Sequence, residues 1–178
     1  YATDFVVENV TVDCTNMAWG YGGSCYVVVS RVGDNVQFDE ENNYILDIDD
    51  RLNELHRPPI SNVNQAFIIT SVKEPDFSSN LLDKLLVVLH KNNIEPVICF
   101  TKLDLLSKEE EERLEKIIEY YKEYYTVLKN TEISKIKKMF KDKTTVFTGQ
   151  TGAGKSSLIN KLNPELNLAT GEISKALG

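Results

Sequence analysis

Gly149-Gln150-Thr151-Gly152-Ala153-Gly154-Lys155-Ser156 is the stretch on which the fold turns. It reads as glycine, four free positions, glycine, lysine and then serine, the pattern of a loop whose backbone N–H groups wrap phosphates. Its flanks agree with that reading. Lys143 to Thr148 is rich in β-branched and aromatic residues, as a short buried strand requires, and beyond the loop Leu158, Ile159 and Leu162 share one face of a helix. Strand, glycine loop and helix start are therefore expected in that order. Such a loop meets its anion at a helix N-terminus, where free backbone donors and the helix dipole both favour negative charge. Lys155 is expected to extend to the β- and γ-phosphates. The Ser156 hydroxyl is expected to complete the coordination of a Mg²⁺ ion bridging them, with Ser157 adding a donor near the α-phosphate.

Working outward towards the N-terminus, the next informative run is Thr101-Lys102-Leu103-Asp104. It follows Pro96 to Phe100, an apolar run expected to be a buried strand, so it falls at a strand's carboxyl end, where ligands collect in open α/β sheets. A fixed carboxylate accepts both the N1–H and the exocyclic amine of guanine, and adenine offers no matching pair. Asp104 is the candidate for that task. Lys102 is expected to lay its aliphatic stem along the base and to tie down the phosphate-loop backbone. The order is reversed with respect to ordinary GTPases, in which the phosphate loop precedes the base-reading motif. Taken together, the two runs point to a guanine nucleotide, GTP or GDP, with Mg²⁺.

These residues resemble the circularly permuted ribosome-assembly GTPases of the RsgA or YjeQ family. The resemblance is carried by Arg57-Pro58-Pro59-Ile60-Ser61-Asn62-Val63-Asn64-Gln65, by Thr101 to Asp104, by Gly149 to Ser157 and by Asn163-Pro164-Glu165-Leu166. It implies an N-terminal OB barrel, a permuted GTPase core and a C-terminal zinc-binding domain. It further implies a cytoplasmic protein, expected to be a monomer, that binds the small ribosomal subunit and its rRNA late in assembly and hydrolyses GTP when the ribosome stimulates it. The family's usual first base-motif residue is Asn, and Thr101 departs from it. The third base-binding element, expected after Thr126 to Leu128, is reduced to Lys129-Asn130. The sequence stops at Leu177-Gly178, where the family's first switch loop would begin, so the switch residues, the zinc site and any catalytic base are expected outside these residues.

Composition sets wider bounds. With 178 residues and 42% hydrophobic content the chain supports one large or two small cores, and it has no apolar run near the length of a membrane span. Three scattered cysteines suit a reducing cytoplasm better than a disulfide frame, and Cys14, Cys25 and Cys99 are expected to be small buried hydrophobes. The net charge of -7 is uneven: residues 1–60 hold eleven acidic and three basic side chains. That balance disfavours RNA contact by the first part of the chain.

Residues 1–57 are expected to form the small all-β barrel, from strands at Asp4–Val7, Val10–Val12, Cys25–Val29, Asn35–Phe38 and Asn43–Leu46. A stacking role for Trp19 stands against plain packing. Residues 58–178 are expected to form the α/β P-loop core, incomplete at its C-terminal end, with the two prolines as the connector. Strands at Ala66–Thr70, Pro96–Phe100, Thr126–Leu128 and Lys143–Thr148 alternate with helices at Ser78–Asn92, Ser107–Tyr125 and Ile133–Phe140, which predicts a mostly parallel sheet wrapped by helices. In the first helix Leu81, Leu82, Leu85, Val88 and Leu89 are expected to face inward. Two other functions remain open at this point. One is an OB-fold RNA-binding module with a degenerate or regulatory nucleotide site, and the other is an ATP-using P-loop enzyme.

Overall fold

The computed structural model describes residues 32–39, 44–56, 59–166 and 168. The chain falls into two compact units, Tyr1–Val63 and Asn64–Gly178. The division therefore comes six residues after the Pro-Pro step that suggested a boundary at 57/58.

In the first unit β1 (Val36–Asp39) pairs antiparallel with β2 (Tyr44–Ile48), with a bulge between Gln37 and Phe38. A second antiparallel pair joins β3 (Glu54–His56) to β4 (Pro59–Ser61), and Val32 bridges Ile60. Pro59 and Ile60 thus belong to a strand instead of a free connector. Arg51 clamps the unit: its Nε and Nη2 donate to the two carboxylate oxygens of Asp34 at 2.8 and 2.9 Å, and its Nη1 to Glu54 at 2.8 Å. The Asp34 side chain is only 1% exposed, so it depends on the guanidinium and on the Ser61 hydroxyl, which donates at 2.5 Å. Three expected strands, Asp4–Val7, Val10–Val12 and Cys25–Val29, lie outside the described residues, as do Trp19, Cys14 and Cys25.

The second unit alternates strand and helix: β5 (Gln65–Ser71), α1 (Ser79–Lys91), β6 (Glu95–Thr101), α2 (Lys108–Lys122), β7 (Thr126–Lys129), α3 (Ile133–Met139), β8 (Thr145–Gly149) and α4 (Lys155–Leu162). All the strands of this sheet are parallel, in the order β7-β6-β5-β8. Parallel neighbours cannot be joined by a tight turn, which is why each connection carries a helix. β5 and β6 are buried on both faces and accordingly read as continuous apolar runs. On one face Phe67, Ile69, Val97, Cys99 and Leu128 pack with Ile136 of α3, Leu158 of α4 and Ala153. The alternate positions face α1 and α2, which touch β5, β6 and β7. Burial of Cys99 among these apolar groups pushes its thiol pKa up to about 12, so it behaves as a small core hydrophobe.

Local chemistry explains the helix boundaries. Ser78 caps α1 by accepting from Leu81 N–H, and Ser107 and Glu110 form a reciprocal capping box at the start of α2. Past Lys122 the last turn of α2 tightens, with Tyr124 N–H donating in an i→i−3 bond to the same Tyr121 carbonyl that accepts from Tyr125. Leu82, Leu86 and Leu89 are the buried stripe of α1, whereas Leu81 is 38% and Val88 48% exposed, contrary to the sequence-based expectation. Almost every position from Leu81 to Leu89 is apolar, and such a run does not reveal which stripe turns inward.

The chain progresses from β5 to β6 to β7 and then returns, through α3, to the other side of β5. The strand order reverses between β5 and β8, and in open α/β sheets the crevice for a ligand lies at the carboxyl ends of such a pair. Phe67, Phe140 and Phe147 brace that pair, with ring centroids 5.0, 5.7 and 5.7 Å apart. Tilted aromatic pairs of this kind contribute about 0.5–1.5 kcal/mol each beyond their burial.

Candidate functional site

The glycine loop leaves β8 at Gly149 and enters α4 at Lys155. Gly149 has φ 138°, and a Cβ there would lie 2.1 Å from the Ile69 carbonyl oxygen of β5, so only glycine lets the two strands close at this point. Gly152 and Gly154 also have positive φ, at 77° and 87°. These turns bring the loop around to the first turn of α4, whose leading N–H groups have no partner within the helix. Lys155 donates from Nζ to the Gly149 and Gln150 carbonyls at 2.8 and 2.7 Å, which holds the ammonium inside the curve of the loop. Burial lowers its pKa below the ordinary lysine range. Thr151 and Ser157 are exposed, Ser156 is half-buried, and Ala153 is fully buried against the core.

The second motif lies directly against this loop. Thr101, the last residue of β6, is 2% exposed, and its hydroxyl donates to the Ala153 carbonyl at 2.6 Å. From the other side, the Cβ position of Gly154 is 3.8 Å from Thr101 Oγ1. Lys102 then adopts the left-handed region at φ 59°, which bends the chain out of the strand into a 3₁₀ turn, Leu103–Leu105, with Asp104 exposed. A non-glycine residue held there costs about 1–2 kcal/mol. Backbone bonds hold the bend on both sides, from Val72 N–H to the Thr101 carbonyl and from Leu105 N–H to the Lys102 carbonyl, each at 3.2 Å; nearby, Asn130 N–H donates to the Phe100 carbonyl at 2.9 Å and Lys73 donates to both carboxylate oxygens of Glu110. A groove of about 490 Å³ beside the turn is lined by Leu103, Lys108, Leu114 and Lys129, among others.

Two assignments of role differ from expectation. Lys102 does not tie down the phosphate loop, because its ammonium donates to the Glu74 carbonyl. Thr101 makes that tie instead: its hydroxyl sits at the buried end of β6 against the Ala153 carbonyl, while the left-handed bend at Lys102 carries the lysine out of the strand. The short Lys129-Asn130 connection, where the family resemblance puts the third base-binding element, lies beside the base motif: Asn130 N–H donates to the Phe100 carbonyl, one residue before Thr101. Parallel pairing of β6 with β7, which sets Phe100 opposite Lys129, brings it there.

The sequence profile of the RsgA GTPase family matches residues 48–178. The chain belongs to the RsgA GTPase family. Among curated RsgA relatives, "Small ribosomal subunit biogenesis GTPase RsgA" of Latilactobacillus sakei is 48% identical over 161 residues, covering 84% of this chain and 54% of the relative. The protein of the same description from Bacillus subtilis is 45% identical over 161 residues, covering 85% of this chain and 54% of the relative. Two solved structures resemble this RsgA-family fold. YjeQ from Thermotoga maritima has a TM-score of 0.71 at 32% identity, covering 81% of this chain and 55% of its own. YloQ, described as a circularly permuted GTPase, has a TM-score of 0.66 at 40% identity, covering 78% and 52%. The chain spans about half the length of the curated relatives it matches.

Proposed function

We propose that this chain binds guanine nucleotides and hydrolyses GTP as part of a switch in small ribosomal subunit biogenesis, with hydrolysis stimulated by the ribosome. The observation that carries this reading is the hydrogen bond from Thr101 to the Ala153 carbonyl. It joins two runs that are far apart in sequence, one suited by its residues to a triphosphate and one to a purine edge. In this proposal the loop N–H groups from Gly149 to Ser156 bind the phosphates, and the Lys155 ammonium leaves the Gly149 and Gln150 carbonyls to meet the β- and γ-oxygens. Asp104 accepts from the guanine edge, and its exposure on the 3₁₀ turn suits a carboxylate that must reach a base from outside the core.

The donor set fits Mg²⁺. Ser156 presents a single hydroxyl at the start of α4, and no cluster of three or more His, Cys, Asp or Glu occurs among the described residues. Mg²⁺ is commonly held by one or two protein oxygens with phosphates and water completing the octahedron. Bound there, it would neutralise charge developing on the phosphates. The proposed partners are the small subunit and its rRNA, met in the cytoplasm by a monomer. For the first unit we propose a small OB-type barrel, a reading that its two antiparallel strand pairs support.

Titration with a fluorescent guanine nucleotide in Mg²⁺ buffer tests the assignment. GTP and GDP should displace the probe, ATP should compete poorly, and Asp104→Asn should shift preference towards xanthine nucleotides. Equal displacement by ATP and GTP overturns the base assignment, and an unchanged affinity in Lys155→Ala overturns the phosphate site.

A further inference from the structure

The first sixty residues are acidic as a set, with eleven acidic against three basic side chains, which directs the search for an RNA-contacting surface to the second unit. Within the second unit, charge is sorted by helix. α3 and α4 carry five lysines, Lys135, Lys137, Lys138, Lys155 and Lys161, and no carboxylate. α1 and α2 carry seven carboxylates against six lysines and arginines.

At the end of α3 the sorting becomes a cluster. Ser134, Lys137 and Lys138 share one face of the helix by their i, i+3, i+4 spacing, Lys141 follows in the turn beyond Met139 with Asp142 beside it, and all of them are exposed. The opposite face, Ile133, Ile136, Met139 and Phe140, joins the core. Neighbouring lysines are engaged, Lys135 with Glu132 and Lys143 with Glu95, whereas among the described residues no ion pair holds Lys137, Lys138 or Lys141. Cations in the last turn of a helix offset its dipole, which accounts for Lys137 or Lys138. It does not account for Lys141, which lies in the turn beyond the helix.

We infer that Lys137, Lys138 and Lys141 form a docking cluster for the phosphate backbone of one RNA strand. Three exposed ammonium groups within five residues of chain, each on a flexible stem, can reach two or three neighbouring phosphates of one strand. Lysine suits this use because it is a compact point charge that makes no bidentate demand on its partner. The contact carries no sequence information and sets position only. The carboxylates of α2 would repel the same strand, so the second unit can approach RNA with one face.

This inference rests on the ribosomal reading proposed above, and the test separates the two. The chain and its Lys137→Gln/Lys138→Gln/Lys141→Gln variant are titrated with purified small ribosomal subunits, with free small-subunit rRNA and with polyglutamate. Salt is varied from about 50 to 200 mM, and guanine-nucleotide affinity serves as the folding control. Neutralising two or three phosphates steepens the salt dependence so that the unmodified chain loses about 10-fold more affinity than the variant over that range. Such a difference with both RNA probes, at equal nucleotide affinity, supports the cluster. Unchanged RNA binding and salt slope in the variant overturn it, as does polyglutamate binding as tight as that of RNA, which would make an acidic protein the partner. If the lysines matter for free rRNA but the chain ignores intact subunits, the cluster stands and the ribosomal reading fails.

Discussion

Replacing Thr101 by valine keeps the shape of a buried side chain and removes one atom's chemistry. Thr101 is 2% exposed, and its hydroxyl is the donor to the Ala153 carbonyl at 2.6 Å. Ala153 is itself fully buried, so water cannot replace the lost donor without the loop moving. A buried acceptor left unpaired costs about 1–3 kcal/mol. For a urea dependence of roughly 1.5 kcal/mol per molar, a loss of about 2 kcal/mol lowers the unfolding midpoint by about 1 M. The loop then relieves the orphaned carbonyl by rotating it outward, towards where phosphate oxygens would rest, and guanine-nucleotide affinity should fall roughly fivefold, equivalent to about 1 kcal/mol. Thr101→Ser, which retains the hydroxyl, should stay within about twofold of the original affinity by the same relation. Urea unfolding and fluorescent-nucleotide titration of the three proteins decide the matter. A valine variant with unaltered midpoint and affinity would refute the idea that this hydrogen bond couples the base turn to the phosphate loop.

Other substitutions probe the remaining supports. Gly149→Ala places a methyl 2.1 Å from the Ile69 carbonyl at φ 138°, so β8 must shift away from β5; a stability loss of about 2–6 kcal/mol and loss of tight nucleotide binding are expected in thermal melts and titrations. Arg51→Met leaves the nearly buried Asp34 carboxylate without its bidentate partner and should destabilise the first unit by about 3 kcal/mol, and the Arg51→Met/Asp34→Asn double variant should recover part of it, as measured by urea unfolding. Glu132 has its pKa lowered from 4.5 by the hydrogen bond from Lys135 and then by the Lys129 N–H. Its folded value lies below its unfolded one, so its stabilisation is present above about pH 4.5 and is lost as pH falls through the lowered value. Glu132→Gln should therefore unfold earlier than the unmodified chain near neutral pH and match it in strong acid. Equal midpoints near neutrality would show that the Glu132 contacts add nothing.

The sequence was most legible where one residue type alone satisfies the backbone. Gly149, Gly152 and Gly154 announce positive φ and close approach, and Ser107 with Glu110 announces a helix start. The runs Ala66 to Ile69 and Pro96 to Phe100 showed their burial by unbroken apolarity. That same property hid the inward stripe of α1, where Leu81 and Val88 face solvent beside buried Leu82 and Leu89. In the site, the closeness of Thr101 to the phosphate loop followed from strand ends meeting at a common edge. Which of Thr101 and Lys102 touches the loop depended on a left-handed bend at Lys102 that no local pattern marks. For Lys129-Asn130 the family resemblance marked the place, but the contact that Asn130 makes was illegible, since it follows from the register of β6 and β7 and not from its own neighbours.

β8 docks beside β5 across a long separation in sequence, pairing Gln65 with Thr145 and Ile69 with Gly149. By contrast β5, β6 and β7 are successive neighbours. A nascent chain can thus assemble the half that carries Thr101 to Asp104 early, while closure of the glycine loop against it waits for a distant strand and bears the larger loop-closure entropy. Acquisition of nucleotide affinity would then mark the arrival of β8, and a bound nucleotide, by holding Thr101 and Ala153 together, would act as a clasp on the last-formed seam of the sheet.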